Sequence, residues 1–152
     1  MPHLVTQHLG AIDYTDENIC VFPAGLPGFD EETRFLILER PATAPVVFLQ
    51  SLARPDLAFI TLPAYLVDPA YELAATPEDL AALALPPSPE PGRDFLCLAI
   101  VTLSEGDPPT ANLMAPIVVN LRTRQAWQVI SMQSSHSARH PLRLPWKEGR
   151  PC

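Results

Sequence analysis

The stretch FLCLAIVTLSEGDPPTANLMAPIVVN, residues 95–120, decides the fold class of this chain. Its first nine residues, 95–103, form a mostly apolar run that is typical of a fully buried strand. Residues 105–109 combine glycine, aspartate and two prolines, which is the composition of a hairpin-like loop. A second apolar strand pattern begins at residue 110. The stretch therefore predicts a central strand that is followed, across a tight loop, by further strands.

Pro116 interrupts the second apolar pattern. Proline has no N–H for the strand ladder, so within a sheet it is confined to an edge or a bulge. The sequence therefore predicts separate strands at residues 110–113 and 117–121, followed by one at 126–132. The short connection 122–125 predicts that the last two are antiparallel neighbours. The break at Pro116 either exposes an edge to a partner or is a purely structural bulge.

Upstream of this stretch, short apolar runs alternate with turn residues. Nineteen of the 152 residues are proline, which ends helices and removes ladder donors, so a long helical bundle is excluded. The segment GLPGF, residues 25–29, predicts a turn because both of its glycines can adopt positive φ. Upstream strands are predicted at residues 3–8, 19–22, 35–38, 46–49 and 57–62. Short strands at this spacing indicate an all-β fold, a compact antiparallel barrel-like or sandwich domain.

One short helix is predicted near residues 77–85. Thr76 supplies a capping hydroxyl, and Pro77 suits the first helical position. The carboxylates of Glu78 and Asp79 complement the helix dipole. Alanine and leucine follow until two prolines at residues 86–87 stop the helix.

Charge is distributed unevenly along the chain. The net charge is −7, but residues 1–110 carry 16 acidic and four basic side chains, a balance of −12. Residues 111–152 carry six basic side chains and one acidic, a balance of +5. The acidic portion disfavours direct contact with nucleic acid and favours a basic protein partner, although ordinary solvated carboxylates are the alternative explanation. We expect a single β domain over residues 1–135 and a basic, flexible tail over 136–152.

The chain offers no recognisable targeting or membrane signal. Its opening residues lack a basic n-region, and the nine-residue run at 95–103 is far shorter than the roughly 20 residues that cross a bilayer. The three cysteines, Cys20, Cys97 and Cys152, show no pairing or metal-binding pattern. We therefore expect a cytoplasmic protein without a disulfide framework and without contact with the membrane.

No catalytic motif is present. The sequence contains no nucleophile elbow, no phosphate-binding loop and no dinucleotide fingerprint. His136 and His140 have the spacing of a helical metal pair but no third ligand nearby. Cys97 lies in a predicted core strand, where the pKa of a thiol rises. We predict that the protein is not an enzyme and has no cofactor or metal; the alternative is a small β-barrel ligand carrier or enzyme with an interior cavity.

Polar side chains within the apolar strands are candidate partner contacts. Gln50 and Ser51 end one apolar run, while Asn112 and Asn120 flank the run that contains Pro116. Such groups either satisfy buried backbone at bulges and turns or line a partner groove. With the acidic side chains, the full candidate set is Gln50, Ser51, Asp68, Glu72, Glu78, Asp79, Asn112, Pro116 and Asn120.

Several segments, taken in order, resemble the flagellar assembly factor FliW family. They are VFPAGLPGF at residues 21–29, FLQS at 48–51, LAF at 57–59, TANLMAPIVVN at 110–120, AWQVI at 126–130 and HPL at 140–142. The ordered set is specific, whereas the first block alone is weak. One departure is an acidic family stretch whose first aspartate is replaced here by Leu62.

The resemblance implies a β-barrel-like fold without catalytic activity and two protein partners. Members of this family bind flagellin and the translational repressor CsrA in a partner-switching arrangement. When flagellin is secreted, the released family member captures CsrA and relieves repression of flagellin mRNA. The acidic body of this chain is compatible with capture of a basic RNA-binding protein.

Overall fold

Antiparallel strands dominate the structure, a computed structural model that describes residues 2–26, 28–103, 105–130 and 137–142. Within these residues the strands are β1 His3–Thr6, β2 Gly10–Asp13, β3 Ile19–Val21, β4 Arg34–Glu39, β5 Val47–Ser51, β6 Ala58–Pro63, β7 Phe95–Thr102, β8 Thr110–Asn120, β9 Ala126–Gln128 and β10 His140–Pro141. The α-helices are α1 Ala64–Val67 and α2 Pro77–Ala82, and two short 3-10 helices span Asp16–Asn18 and Pro41–Thr43. No helix of the described residues is long and apolar enough to cross a membrane.

One sheet carries eight of these strands. Its order is β10-β8-β7-β6-β5-β4-β3, and β9 also pairs with β8. The two ends approach each other where Val21 N donates to Arg124 O at 2.8 Å, beside a parallel bridge between Val21 and Gln125. This near closure confirms the predicted all-β, antiparallel, barrel-like fold. Strands β1 and β2 form a separate hairpin.

A bulge of several residues in β8 separates two stretches of regular pairing between β7 and β8. Leu98 pairs with Ile117, but Ile100, only two residues on, pairs with Asn112. The extra residues of β8 include Pro116, so of the two possibilities left open for this proline, an edge or a bulge, the structure shows a bulge. The predicted division of residues 110–121 into two strands was wrong, because the bulge accommodates proline within one continuous strand. Strand β9 is the antiparallel neighbour of β8, as predicted.

Both faces of β7 are covered, which explains its almost uninterrupted apolar sequence. Leu98 packs into one core cluster with Phe22 and Phe35, whereas Cys97 packs into a second cluster with Phe95. Consecutive side chains of a strand point to opposite faces, so two cores demand apolar residues at successive positions. The first cluster lies inside the sheet, and the second also receives side chains from α1 and the segment that contains α2.

The helix predicted near residues 77–85 forms but is shorter. A reciprocal capping box starts α2, since Thr76 Oγ1 accepts from Asp79 N at 3.1 Å and Asp79 Oδ2 accepts from Thr76 N at 2.9 Å. The helix ends at Ala82 because Ala84 turns to φ 55°, and Leu85 N then donates back to Leu80 O at 2.9 Å. Leu83, between them, is fully buried in the second core. The other helix, α1, was not predicted; its four residues are too few to show helical periodicity.

The sheet continues beyond the predicted domain boundary at residue 135. His140 pairs with Ala111, and Leu113 N donates to Ser137 O at 2.8 Å. These contacts attach the described residues 137–142 to the sheet. The domain boundary and the flexible character of the tail stay predictions. Residues 143–152, and the last two positions of the strand predicted at 126–132, lie outside the described residues.

Candidate functional site

Gln50 and Ser51 are fully buried and hold the turn that follows β5. Gln50 Nε2 donates to the carbonyl oxygens of Ser51 at 3.0 Å and Arg54 at 3.2 Å. Ser51 Oγ donates to Glu32 Oε1 at 2.9 Å and accepts from Arg54 N at 3.0 Å. These bonds satisfy buried backbone groups, which is the first of the two roles considered for such side chains.

Asn112 and Asn120 also bond to backbone. Asn112 lies where the β8 bulge begins, and Asn120 is the last residue of β8. Asn112 Oδ1 accepts from Met114 N and Ala115 N, both at 3.0 Å. Asn120 Nδ2 donates to Leu83 O at 2.6 Å, while its Oδ1 accepts from Arg122 N at 2.8 Å. Asn120 thereby attaches the end of α2 to β8. A direct partner contact of these amides, or of the buried Pro116, stays a prediction.

The four acidic candidates lie together in the segment that runs from α1 through α2. Asp68 Oδ1 accepts from Ala70 N at 3.0 Å, and Asp79 caps α2, so both carboxylates support local backbone. Glu72 and Glu78 are exposed and form no ion pair or hydrogen bond with any described residue. These two side chains are consequently available to a partner.

A groove bordered by tyrosines adjoins this acidic segment. It consists of two neighbouring hollows of about 310 and 340 Å³, and Tyr65, Pro91 and Phe95 line both of them. The Tyr65 and Tyr71 rings meet edge to face with centroids 5.7 Å apart. We call this feature the tyrosine groove; Glu72, Leu80, Pro87 and Pro89 also line it.

Sequence reasoning missed the tyrosine groove. Its lining comes from α1, from the segment around α2 and from the start of β7, which are separated along the chain. The available signal was the alternation of prolines at residues 87, 89 and 91, which the sequence presented only as a proline-rich linker. In the structure this linker forms one side of a groove.

Burial suppresses the acidity of the groups closest to this groove. Desolvation raises the pKa of the Cys97 thiol to about 12, against a partial opposing effect of its hydrogen bond with Tyr71. Desolvation likewise raises the pKa of the Tyr65 phenol to about 12. A thiol with so high a pKa is protonated near neutral pH and is a poor nucleophile.

The raised pKa of the Cys97 thiol makes the free energy of unfolding depend on pH in the alkaline range. The thiol's pKa is raised on folding, so its stabilising contribution is present below about pH 9 and is lost as the pH rises towards about 12. Urea unfolding across this interval should show a steeper loss of stability for the natural chain than for Cys97→Ala. Parallel pH profiles of the two proteins would contradict the assignment.

Metal-binding side chains do not converge in the part of the chain that the structure describes. No group of three or more His, Cys, Asp or Glu side chains there could hold an ion. His136, which was considered with His140, lies outside the described residues.

A nearly closed antiparallel sheet, with short helices packed on one side, defines the class of protein as a small barrel-like β domain. The sequence matches the family model described as FliW protein over residues 3–142. This chain belongs to the FliW family. That membership confirms the family resemblance carried by the ordered sequence blocks.

Relatives of similar length support the same assignment. The flagellar assembly factor FliW of Bacillus subtilis is 33% identical over 138 residues, covering 90% of this chain and 94% of its own. That of Pseudothermotoga lettingae is 37% identical over 134 residues, covering 87% and 83%. A crystal structure of the flagellar assembly factor FliW superimposes with a TM-score of 0.81 at 32% identity, covering 93% of this chain and 97% of that one.

Proposed function

We propose that this flagellar assembly factor is a non-enzymatic, cytoplasmic binding protein that antagonises a CsrA-type translational repressor and binds flagellin as a chaperone-like partner. Binding the two in alternation would couple flagellin translation to its secretion. The observation that carries the proposal is the acidic segment at α1 and α2, where Glu72 and Glu78 are exposed and unpaired among the described residues.

The charge of an RNA-binding repressor favours its recognition by carboxylates. A protein that binds RNA presents basic groups to phosphates, and carboxylates can attract the same groups. Unpaired carboxylates accelerate encounter with a basic partner and repel an acidic one. The same charges disfavour direct binding of nucleic acid by this chain. The proposal therefore assigns the acidic segment to protein recognition.

An interior-cavity enzyme or ligand carrier is the alternative. It requires convergent polar groups whose pKa values are adjusted for chemistry near neutral pH. The titratable groups Cys97 and Tyr65 beside the tyrosine groove instead have pKa values raised to about 12 by burial. This observation supports the binding function over the alternative.

Calorimetric titration tests the proposed function directly. The purified chain should form a stoichiometric complex with the CsrA protein encoded by the same genome, and a separate complex with flagellin. Addition of the chain should also release CsrA from flagellin mRNA in a gel-shift assay. Absence of binding to both proteins would overturn the proposal.

Charge reversal should slow capture of the repressor. In the double variant Glu72→Lys with Glu78→Lys, we expect association with CsrA to be about three- to tenfold slower at low salt, because exposed rim charges act mainly on the association rate. The difference should shrink as salt screens the charges. Stopped-flow fluorescence measures these rates.

The matched control is Glu105→Lys with Asp107→Lys, which makes the same charge change in the exposed loop after β7. It should associate at close to the natural rate. Equal slowing by both double variants would mean that total charge, and not the segment at α1 and α2, governs capture.

A further inference from the structure

The proline-rich side of the tyrosine groove is poor in the backbone donors that an added β-strand needs. Pro87, Pro89 and Pro91 have no backbone N–H, so every second ladder donor is missing along this side. Glu90 N, which lies between two of them, already donates to Asp94 Oδ2 at 2.7 Å. A ligand in the groove would therefore be recognised through its side chains and not by extension of the sheet.

The opposite side and the floor of the groove are aromatic. Tyr65 is half-buried, while Tyr71 and Phe95 are 3% and 2% exposed. Tyr65 therefore supplies the accessible aromatic surface, and it packs against the buried Tyr71. A groove lined by tyrosine and proline suits an extended polyproline II segment, because such a segment needs no ladder partners and offers apolar ridges. Its low conformational entropy also reduces the free-energy cost of binding.

The negative charge around the tyrosine groove favours a positively charged ligand. Residues 68–94, which supply α2 and most of the groove side, contain six acidic side chains and one basic, Arg93. Arg93 is itself paired with Glu90, Nη1 to Oε2 at 3.1 Å. Glu72 lines the groove without such a pair among the described residues. The groove therefore favours a segment that carries lysine or arginine.

We propose that the tyrosine groove binds a short extended segment of a protein partner, one that combines proline or other apolar side chains with lysine or arginine. The apolar side chains rest on the half-buried Tyr65 and the exposed Pro87 and Pro91, and a cation approaches Glu72. This inference rests on the proposed function only in that a protein partner presents the segment; the groove chemistry stands apart from it.

Fluorescence anisotropy with a defined probe tests the groove. The probe is a fluorescein-labelled peptide of alternating lysine and proline with a central tryptophan, titrated with the full chain. A second peptide carries glutamate in place of lysine. We expect saturable binding of the lysine peptide and at least about tenfold weaker binding of the glutamate peptide. Equal affinity for both peptides, or no binding of either, would overturn the proposal.

Two variants place the probe in the groove. Tyr65→Ala should weaken binding about tenfold, since it removes an aromatic contact surface. Glu72→Lys changes an exposed side chain that forms no hydrogen bond or ion pair with the described residues, so this variant should fold. It therefore tests the groove even if Tyr65→Ala fails to fold. It should weaken binding about fivefold, while Glu105→Lys should leave it unchanged. Equal effects of the two lysine variants would contradict the assignment.

Other occupants give different results. If this chain's own C-terminal residues fill the groove, reversal of their charge by Arg143→Glu, Lys147→Glu and Arg150→Glu would tighten probe binding, and the partner assignment would fall. If a second copy of the chain fills the groove, the apparent affinity for the peptide would drop as the protein concentration rises, and the partner assignment would fall.

The same experiments separate the groove assignment from the proposed function. If only the groove assignment is wrong, the chain still binds CsrA and flagellin, and Tyr65→Ala changes neither of these affinities. If only the proposed function is wrong, the lysine peptide still binds in the groove, but the chain forms no complex with CsrA or with flagellin.

Discussion

Replacement of Gly25 by alanine is expected to lower the free energy of unfolding by about 3 kcal/mol or more. Gly25 has φ +67°, which confirms the positive φ expected for this turn and which alanine adopts only with strain. A Cβ at this position would lie 2.5 Å from the backbone oxygen of Asp30 and 2.7 Å from its carbonyl carbon. Backbone cannot move aside as a flexible side chain can.

The position matters because the turn connects buried residues. Gly25 N donates to Phe22 O at 2.8 Å, and Phe29 N donates to Leu26 O at 2.7 Å. Phe22 and Leu26 are 0% and 2% exposed and belong to the core inside the sheet. A shift of the turn to relieve the clash would therefore displace core side chains.

Gly10→Ala provides the matched control. Gly10 has φ +73°, but a Cβ there would meet nothing within 4 Å. Alanine should cost about 1 kcal/mol at this position, from backbone strain alone. Urea unfolding followed by tryptophan fluorescence measures both variants. A Gly25→Ala protein that is no less stable than Gly10→Ala would refute the close approach to Asp30.

Replacement of Asn120 by alanine is expected to destabilise the chain by about 2–4 kcal/mol. Asn120 is 2% exposed, and its amide bonds to Leu83 O, Arg122 N and Thr123 N. Alanine leaves these backbone groups without their partners, and a buried group that loses its partner incurs the full desolvation cost. The end of α2 would also separate from β8.

Asn112→Ala is the comparison for this variant. Asn112 is only half-buried, and its oxygen accepts from Met114 N and Ala115 N within a local turn. Water can replace those bonds in part, so the loss should be about 1 kcal/mol. Hydrogen exchange of the α2 amides should accelerate in Asn120→Ala and not in Asn112→Ala. Equal stabilities of the two variants would show that Asn120 does not attach α2.

The pattern of strands was accessible from sequence because its causes are local. Apolar runs, proline positions and turn glycines act within a few residues, and β4, β5, β6 and β7 arise close to where they were predicted. The cap at Thr76 likewise predicted the start of α2. The continuity of β8 through Pro116 was not predictable, because it depends on a bulge whose register is set by pairing with β7.

The candidate residues divide in the same way. Glu72 and Glu78 were identified by charge alone, and the structure leaves them exposed. Gln50 and Ser51 also stood out as polar residues in apolar runs, but only the folded turn shows that they bond to backbone carbonyl and amide groups. A polar residue in a strand gives the same sequence signal whether it faces a partner or a buried loop.

The sequence by itself determined the family, the all-β class and the acidic character of this flagellar assembly factor. These properties reside in ordered motifs, strand periodicity and composition, each of which is read without knowledge of distant contacts. Only the tertiary structure decided that Tyr65, Tyr71 and Phe95 meet beside a proline-rich segment to form a groove. Such a site depends on the relative position of separate elements, which long-range packing of the two cores fixes.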